Sequence, residues 1–284
     1  MPLDVSSQPK GEYPWTSWST VESAVNKAWD PENEPHHLVV GATGSGKSYL
    51  VVNGILKPMC SMDRVLIIDT KGDDKTVSQV GKEIHDLPRR TWYTGMQSRK
   101  KPMSEWYRLV TDDDNGKARL QVAKALTHCI NEGNWVIFLD EAAEICEPTK
   151  PVGLGLGGIV SHGMRKGRSR HVSFINATQA PVWVPRWLVD QSSFVWIGRI
   201  RDEERHKRLI QVGGMPKKDL PYLASLQKRE WMLAADPIDL FYRTKVEVAN
   251  AAGKSEGRVA VEPKRSSVPV SNKGPQGASE TVRR

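Results

Sequence analysis

The stretch from His36 to Leu56, HHLVVGATGSGKSYLVVNGIL, decides the fold. A short apolar run (Leu38, Val39, Val40) leads into Gly41-Ala42-Thr43-Gly44-Ser45-Gly46-Lys47-Ser48, and a helical pattern follows. Strand, phosphate-binding loop and helix stand in the order that binding a nucleoside triphosphate requires. Gly41 and Gly46 leave the backbone free to wrap phosphates with its N–H groups turned inward. The helix adds its positive N-terminal end to that cradle. Lys47 is expected to reach the β- and γ-phosphates, and the Ser48 hydroxyl to help hold Mg²⁺. Residues Gly41 to Ser48 are therefore read as a nucleotide-binding loop.

The second informative stretch is Trp135-Val136-Ile137-Phe138-Leu139-Asp140-Glu141, entered through the turn Gly133-Asn134. A continuous apolar strand ending in Asp-Glu is the hydrolytic partner of a phosphate loop. Asp140 is placed to hold Mg²⁺ through its water shell. Glu141, on the other side of the strand, is placed to polarise the attacking water. Buried strands often end in acids, so it is the pair of stretches, with another predicted strand between them, that points to nucleotide hydrolysis. That intervening strand is Arg64 to Asp69, a short apolar run. It delivers Asp69-Thr70-Lys71-Gly72-Asp73-Asp74 to the carboxyl edge of the sheet, where ligands bind in open α/β folds. Lys71 and Asp69 are thus either neighbours of the nucleotide or parts of a polar strand-end turn. His171 to Ala177 reads as a further strand ending at Thr178-Gln179, and the Gln179 amide is expected to face the γ-phosphate region as a sensor of hydrolysis.

Around these elements, helices are expected over Thr16–Asp30, from Lys47 to about Leu56 with Pro58 as its end, and over Lys117–Asn131. Residues 75–116 are expected to hold a helix near Thr76–Ile84, a strand near Thr91–Tyr93 and a loop carrying Arg89, Arg90, Arg99, Lys100 and Lys101. The acid triplet Asp112-Asp113-Asp114 points its carboxylates apart and reads as a solvated turn rather than a metal site. Glu147 to Gly158 reads as a mobile Gly-rich loop opening a helix over Ile159–Gly167. That helix ends in Arg165, Lys166, Arg168 and Arg170. Ser193–Ile197 and Lys228–Ala234 read as strands and Asp202–Val212 as a charged helix. Ten tryptophans against four phenylalanines are more simply explained by core packing than by stacking on bases.

Composition narrows the class. In 284 residues no apolar run approaches the roughly 18 needed to span a bilayer, and the N-terminus lacks a signal-peptide pattern, so a soluble cytoplasmic protein is expected. Cys60, Cys129 and Cys146 have neither disulfide-framework nor zinc spacing. The formal charge of +8 makes nucleic acid a reasonable partner, although seven basic against three acidic residues after Asn250 account for half of it. The expected organisation is an N-terminal extension (1–35) with one helix, a motor domain (36–250) and a disordered basic tail (251–284).

Taken together, GATGSGKS, VLIIDTKGDD, VIFLDEA, RKGRSRHVSFINATQAP and FVWIGRIRD resemble the FtsK–HerA superfamily of RecA-like motor ATPases, in order and spacing, over roughly residues 36–240. The resemblance implies an α/β, RecA-like P-loop NTPase of ASCE type, with a mainly parallel central sheet flanked by helices. It implies ATP and Mg²⁺ as cofactors, and hydrolysis of ATP coupled to movement of double-stranded DNA through a homo-oligomeric, usually hexameric, ring. Lys47 and Ser48 match the phosphate and Mg²⁺ residues, Asp140 and Glu141 the metal and water-activating pair, and Gln179 the polar sensor. Arg165 or Arg168 matches the arginine that reaches a neighbouring subunit's γ-phosphate, with Arg170 as a weaker match. No membrane segment is expected before the motor, and no folded DNA-reading domain is expected in the 34-residue tail. A packaging or transfer ATPase of a phage or mobile element, working with a portal, capsid or transfer-complex protein and without membrane insertion, is therefore expected over a membrane-anchored translocase. The alternatives are a P-loop ATPase driving protein or virion assembly or export, such as a zonula-occludens-toxin-like morphogenesis factor, and a nucleotide-dependent switch.

Overall fold

In a computed structural model of the protein, the residues described are 15–29, 36–60, 64–87, 105–111, 114–147, 153–179, 181–200, 220–235 and 240–247. The chain divides into two units, Met1–Val248 and Ala249–Arg284, and all described residues lie in the first. The expected strand at Thr91–Tyr93, the basic loop 89–101, the helix Asp202–Val212 and the tail lie outside the described residues.

The described strands are β1 (His37–Val40), β2 (Arg64–Asp69), β3 (Lys82–Ile84), β4 (Trp106–Val110), β5 (Trp135–Leu139), β6 (Val172–Thr178), β7 (Phe194–Ile197), β8 (Glu230–Ala235) and β9 (Leu240–Lys245). They form one sheet in the order β3-β4-β2-β5-β6-β1-β7-β8-β9. Pairs from β3 to β7 are parallel, and β8 and β9 close the edge antiparallel. The central strands are buried on both faces, which is why β1, β5 and β7 read as unbroken apolar runs. Alternate residues of each strand feed two cores. Val39, Val65, Ile67, Phe138 and Trp196 pack with Trp18, Val21, Leu50 and Ile55 on one face. Leu38, Leu66, Ile68, Ile137 and Leu139 pack with Val122, Leu126, Ile130 and Val160 on the other. Trp135, Trp196 and Trp231 are among the largest fully buried side chains, so these tryptophans are packing residues.

The helices follow α/β logic, all but Ala142–Cys146 leading the chain to the start of the next strand. They are α1 (Trp18–Ala28), α2 (residues 47–59), α3 (Asn115–Glu132), α4 (Ala142–Cys146), α5 (Gly157–Arg170), α6 (Arg186–Asp190) and α7 (Leu220–Ser225). Asp114 caps α3 by accepting from the N–H groups of Gly116 and Lys117. Helix α2 runs past the expected stop at Pro58, because its middle, Leu50–Leu56, is a π-helix. Lys57 N–H bonds five residues back to Val52 while Cys60 N–H bonds four back to Leu56, so Pro58, which has no N–H, falls where the register changes.

Two departures from the expected elements have local causes. Thr76–Ile84 holds a short 3-10 turn (Val77–Gln79) and strand β3 rather than one helix. β4 is hidden in the sequence by Arg108, a buried cation in mid-strand whose guanidinium pairs with Asp69 (3.0 Å) and Glu83. The described part of the Gly-rich segment is held in place: Leu154 and Leu156 are buried, and their N–H groups bond Glu144 and Ile145 carbonyls.

Candidate nucleotide-hydrolysing site

β1 lies between β6 and β7, and β6 separates it from β5. This order sets three strand ends side by side: the phosphate loop after Val40, Thr178-Gln179 after β6, and Asp140-Glu141 after β5. The loop needs its glycines. Gly44 and Gly46 have φ of 76° and 100°, and a Cβ on Gly41 would lie 2.6 Å from Ser45 Oγ. A cleft of about 230 Å³ opens over the loop, lined by Thr43, Gly44, Gly46, Lys47 and Ser48 together with Lys71, Asp74, Asp140 and Gln179.

In and beside the cleft the sequence-predicted residues converge. Lys47 folds back on its own loop, Nζ donating to the carbonyls of Gly41 (3.0 Å) and Ala42 (3.4 Å). Burial holds its pKa below the usual lysine value, against the pull of Glu141. Glu141 is buried and held by β6: Thr178 Oγ1 donates to Oε1 at 2.7 Å, and the Gln179 N–H sits 3.3 Å from both carboxylate oxygens. The Gln179 side chain accepts from Thr43 Oγ1, tying the sensor position to the loop. Lys71 Nζ lies 3.7 Å from Asp140 and 3.9 Å from Glu141. Burial raises both carboxyls, Asp140 to about 6, and Lys71 opposes the shift.

Asp140 Oδ2 is buried with no hydrogen-bond partner among the described residues, and Ser48 Oγ and Asp74 line the same cleft. An oxygen donor set with an unsatisfied buried carboxylate suits a hard divalent cation, so Ser48 and Asp140 fit the Mg²⁺ expected of them. Ser48 Oγ donates to Asp74 Oδ2 at 2.6 Å, an orienting partner that the sequence reading did not single out. It has a legible signal, since Asp74 belongs to the polar segment delivered by β2.

Of the two options for Asp69 and Lys71, the structure splits them. Lys71 reaches the cleft, whereas Asp69 is consumed by the turn, accepting from the N–H groups of Lys71 and Gly72 and pairing with Arg108. Arg165 and Arg168 are exposed on the last turns of α5, and Arg170 donates to the Asn131 carbonyl. These residues precede β6, and seven residues of that strand, roughly 20 Å, separate them from Gln179. They stand at the sheet edge opposite their own phosphate loop. Tyr49, Lys228 and Arg229 also line the cleft. No sequence signal marks Lys228 and Arg229, because their approach depends on β8 docking antiparallel beside β7.

No protein-family model matches the chain. Over 182 residues, 64% of this chain and 70% of the relative, it is 26% identical to the DNA packaging ATPase P9 of Enterobacteria phage PRD1. Among solved structures, the genome packaging NTPase B204 of Sulfolobus turreted icosahedral virus 2, bound to AMP, aligns with a TM-score of 0.55 at 16% identity, covering 76% of this chain and 98% of its own. VirB4 of Thermoanaerobacter pseudethanolicus aligns with a TM-score of 0.59 at 10% identity, covering 79% and 92%. The chain has the RecA-like P-loop NTPase fold of these structures, and in sequence it is similar to a phage DNA packaging ATPase.

Proposed function

We propose that residues 36–250 form an ATP-hydrolysing motor that moves double-stranded DNA during genome packaging. The observation that carries this reading is Glu141, fixed by Thr178 and Gln179 beside the phosphate loop, in a chain similar to a phage packaging ATPase. Lys47 releases the loop carbonyls to bind the β- and γ-phosphates. Glu141, kept as an acceptor by two donors, orients a water and takes its proton as it attacks the γ-phosphorus, while the bond to the β–γ bridging oxygen breaks and ADP leaves. Gln179, bonded to Thr43 and through its backbone to Glu141, registers the loss of the γ-phosphate. When bound at Ser48 and Asp140, Mg²⁺ neutralises charge on the phosphate oxygens.

Arg165 and Arg168 complete the site only across a subunit boundary. Their place at the far sheet edge fits a cation offered to a neighbour's γ-phosphate, as in a closed ring, most simply a hexamer. Arg170 fits less well, being tied to Asn131. Arg or Lys residues near 89–101 or 150–170 would contact DNA phosphates without reading sequence, so binding should fall steeply with salt. Among the described residues no helix is long and apolar enough to cross a membrane. We place the motor in the host cytoplasm, acting with a portal or capsid protein.

The test is ATP turnover with and without linear double-stranded DNA, alongside particle mass with ATP bound. Stimulation by DNA and a ring-sized particle are expected. Turnover indifferent to DNA but raised by a protein partner would favour the assembly or export reading instead.

A further inference from the structure

Arg229 has a backbone that its side-chain type does not favour. Its φ is 67°, left-handed, at a turn where Gly or Asn would be unstrained. The strain is held from both sides. Arg229 N–H donates to the Ser45 carbonyl in the phosphate loop (2.9 Å), and its carbonyl accepts from Val246 N–H (3.0 Å). The guanidinium lies 3.7 Å above the Tyr49 ring. Gly46 makes room for this: a Cβ there would approach Arg229 Cγ to 3.2 Å. A strained residue, packed on the phosphate loop and presenting a planar cation to the cleft, points to a ligand.

The cleft has two distinguishable ends. Thr43, bonded to Gln179, and the carboxylates mark the end where the γ-phosphate reacts. Arg229 touches the loop at Ser45 and Gly46 and the helix at Tyr49, on the nucleoside side. We propose that Arg229, backed by Tyr49, forms a platform on which the nucleobase stacks, with the guanidinium between the phenol ring and the base. Guanidinium planes stack on aromatic faces of any base, so the platform gives affinity with little choice among nucleotides. This inference rests on the reading of the cleft as a nucleotide site.

The test compares binding of ADP and of inorganic tripolyphosphate to the full chain. Arg229→Gly removes the platform while relieving the left-handed backbone, so the variant should melt no lower than wild type. ADP affinity should fall about tenfold, about 1.4 kcal/mol, while tripolyphosphate affinity holds. Arg229→Lys, which keeps the charge and loses the plane, should also weaken ADP. Unchanged ADP binding in Arg229→Gly, wild-type ADP binding in Arg229→Lys, or equal loss of both ligands in Arg229→Gly would each overturn the platform. Wild-type chain that binds neither ligand would instead overturn the nucleotide-site reading beneath it.

Discussion

The tandem histidines His36, just before β1, and His37, its first residue, make stability depend on pH in a defined direction. His36 Nδ1 accepts from Phe174 N–H (3.1 Å) while Nε2 meets the Met164 carbonyl (2.9 Å), the pattern of a neutral ring protonated on Nε2. His37 Nδ1 accepts from Trp196 Nε1 (3.2 Å), and its ring stacks on Phe194 with centroids 4.5 Å apart. Burial pushes His36 down to about 4 and His37 to about 3, from 6.5. Below 6.5 the unfolded chain takes up protons that the folded chain refuses, so stability is full above that value and is lost as pH falls toward the folded values. At pH 5 each histidine costs about 2 kcal/mol, or about 4 kcal/mol together, at 1.36 kcal/mol per unit. Asp140, raised to about 6 from 3.8, works the other way and returns about 1 kcal/mol over the same range.

The assay is urea unfolding of the nucleotide-free protein at pH 7.5 and pH 5, for wild type and His37→Phe. The substitution keeps the stacking surface and removes the titrating group. Its other costs, such as the lost acceptor for Trp196, apply at both pH values and cancel. His37→Phe should lose about 2 kcal/mol less than wild type between the two pH values. Equal pH dependence in the two proteins would refute the claim that a neutral, buried imidazole anchors the strand leading to the phosphate loop.

Further outcomes follow from the same contacts. Glu141→Gln should slow ATP turnover by about 10²- to 10⁴-fold while nucleotide binding persists, because it removes the proton acceptor and leaves the loop intact. Rapid-quench kinetics would check this, and wild-type turnover in the variant would exclude Glu141 as the base. Arg108→Ala strands the Asp69 carboxylate, which is fully buried, and should cost about 3–5 kcal/mol in chemical denaturation. Gly163→Ala places a Cβ 2.5 Å from Ile130 Cδ1 and 2.8 Å from Phe174 Cζ, where α5 packs on α3 and β6. A loss of about 1–3 kcal/mol is expected there, read as a lowered Tm.

The parts of this fold legible in the sequence are those where one strand or loop carries its own signal. β1, β2, β5, β6 and β7 are continuous or near-continuous apolar runs because helices cover both sheet faces, and the phosphate loop announces itself through glycine spacing. β3, β4 and β9 were not legible. β3 exposes Lys82 and Glu83, and β4 carries Arg108, which is tolerated only because Asp69 and Glu83, distant in sequence, come to meet it. The same distinction holds in the site. Lys47, Ser48, Asp140, Glu141 and Gln179 follow from strand ends; the structure sets four of them in one cleft and buries Glu141 beside it against Thr178 and Gln179. Asp74 and Arg229 enter through tertiary contacts, across 26 residues to Ser48 and by backbone pairing to Ser45. Periodicity carries no information about such partners.

The central claim is that hydrolysis at Glu141 drives movement along double-stranded DNA. The measurement that tests it most directly is ATP-dependent displacement of a third strand from a triplex-bearing linear duplex, at low salt. Displacement by the wild-type chain with ATP is expected, and none by Glu141→Gln. Rapid ATP hydrolysis on bound duplex with the third strand left in place would contradict it.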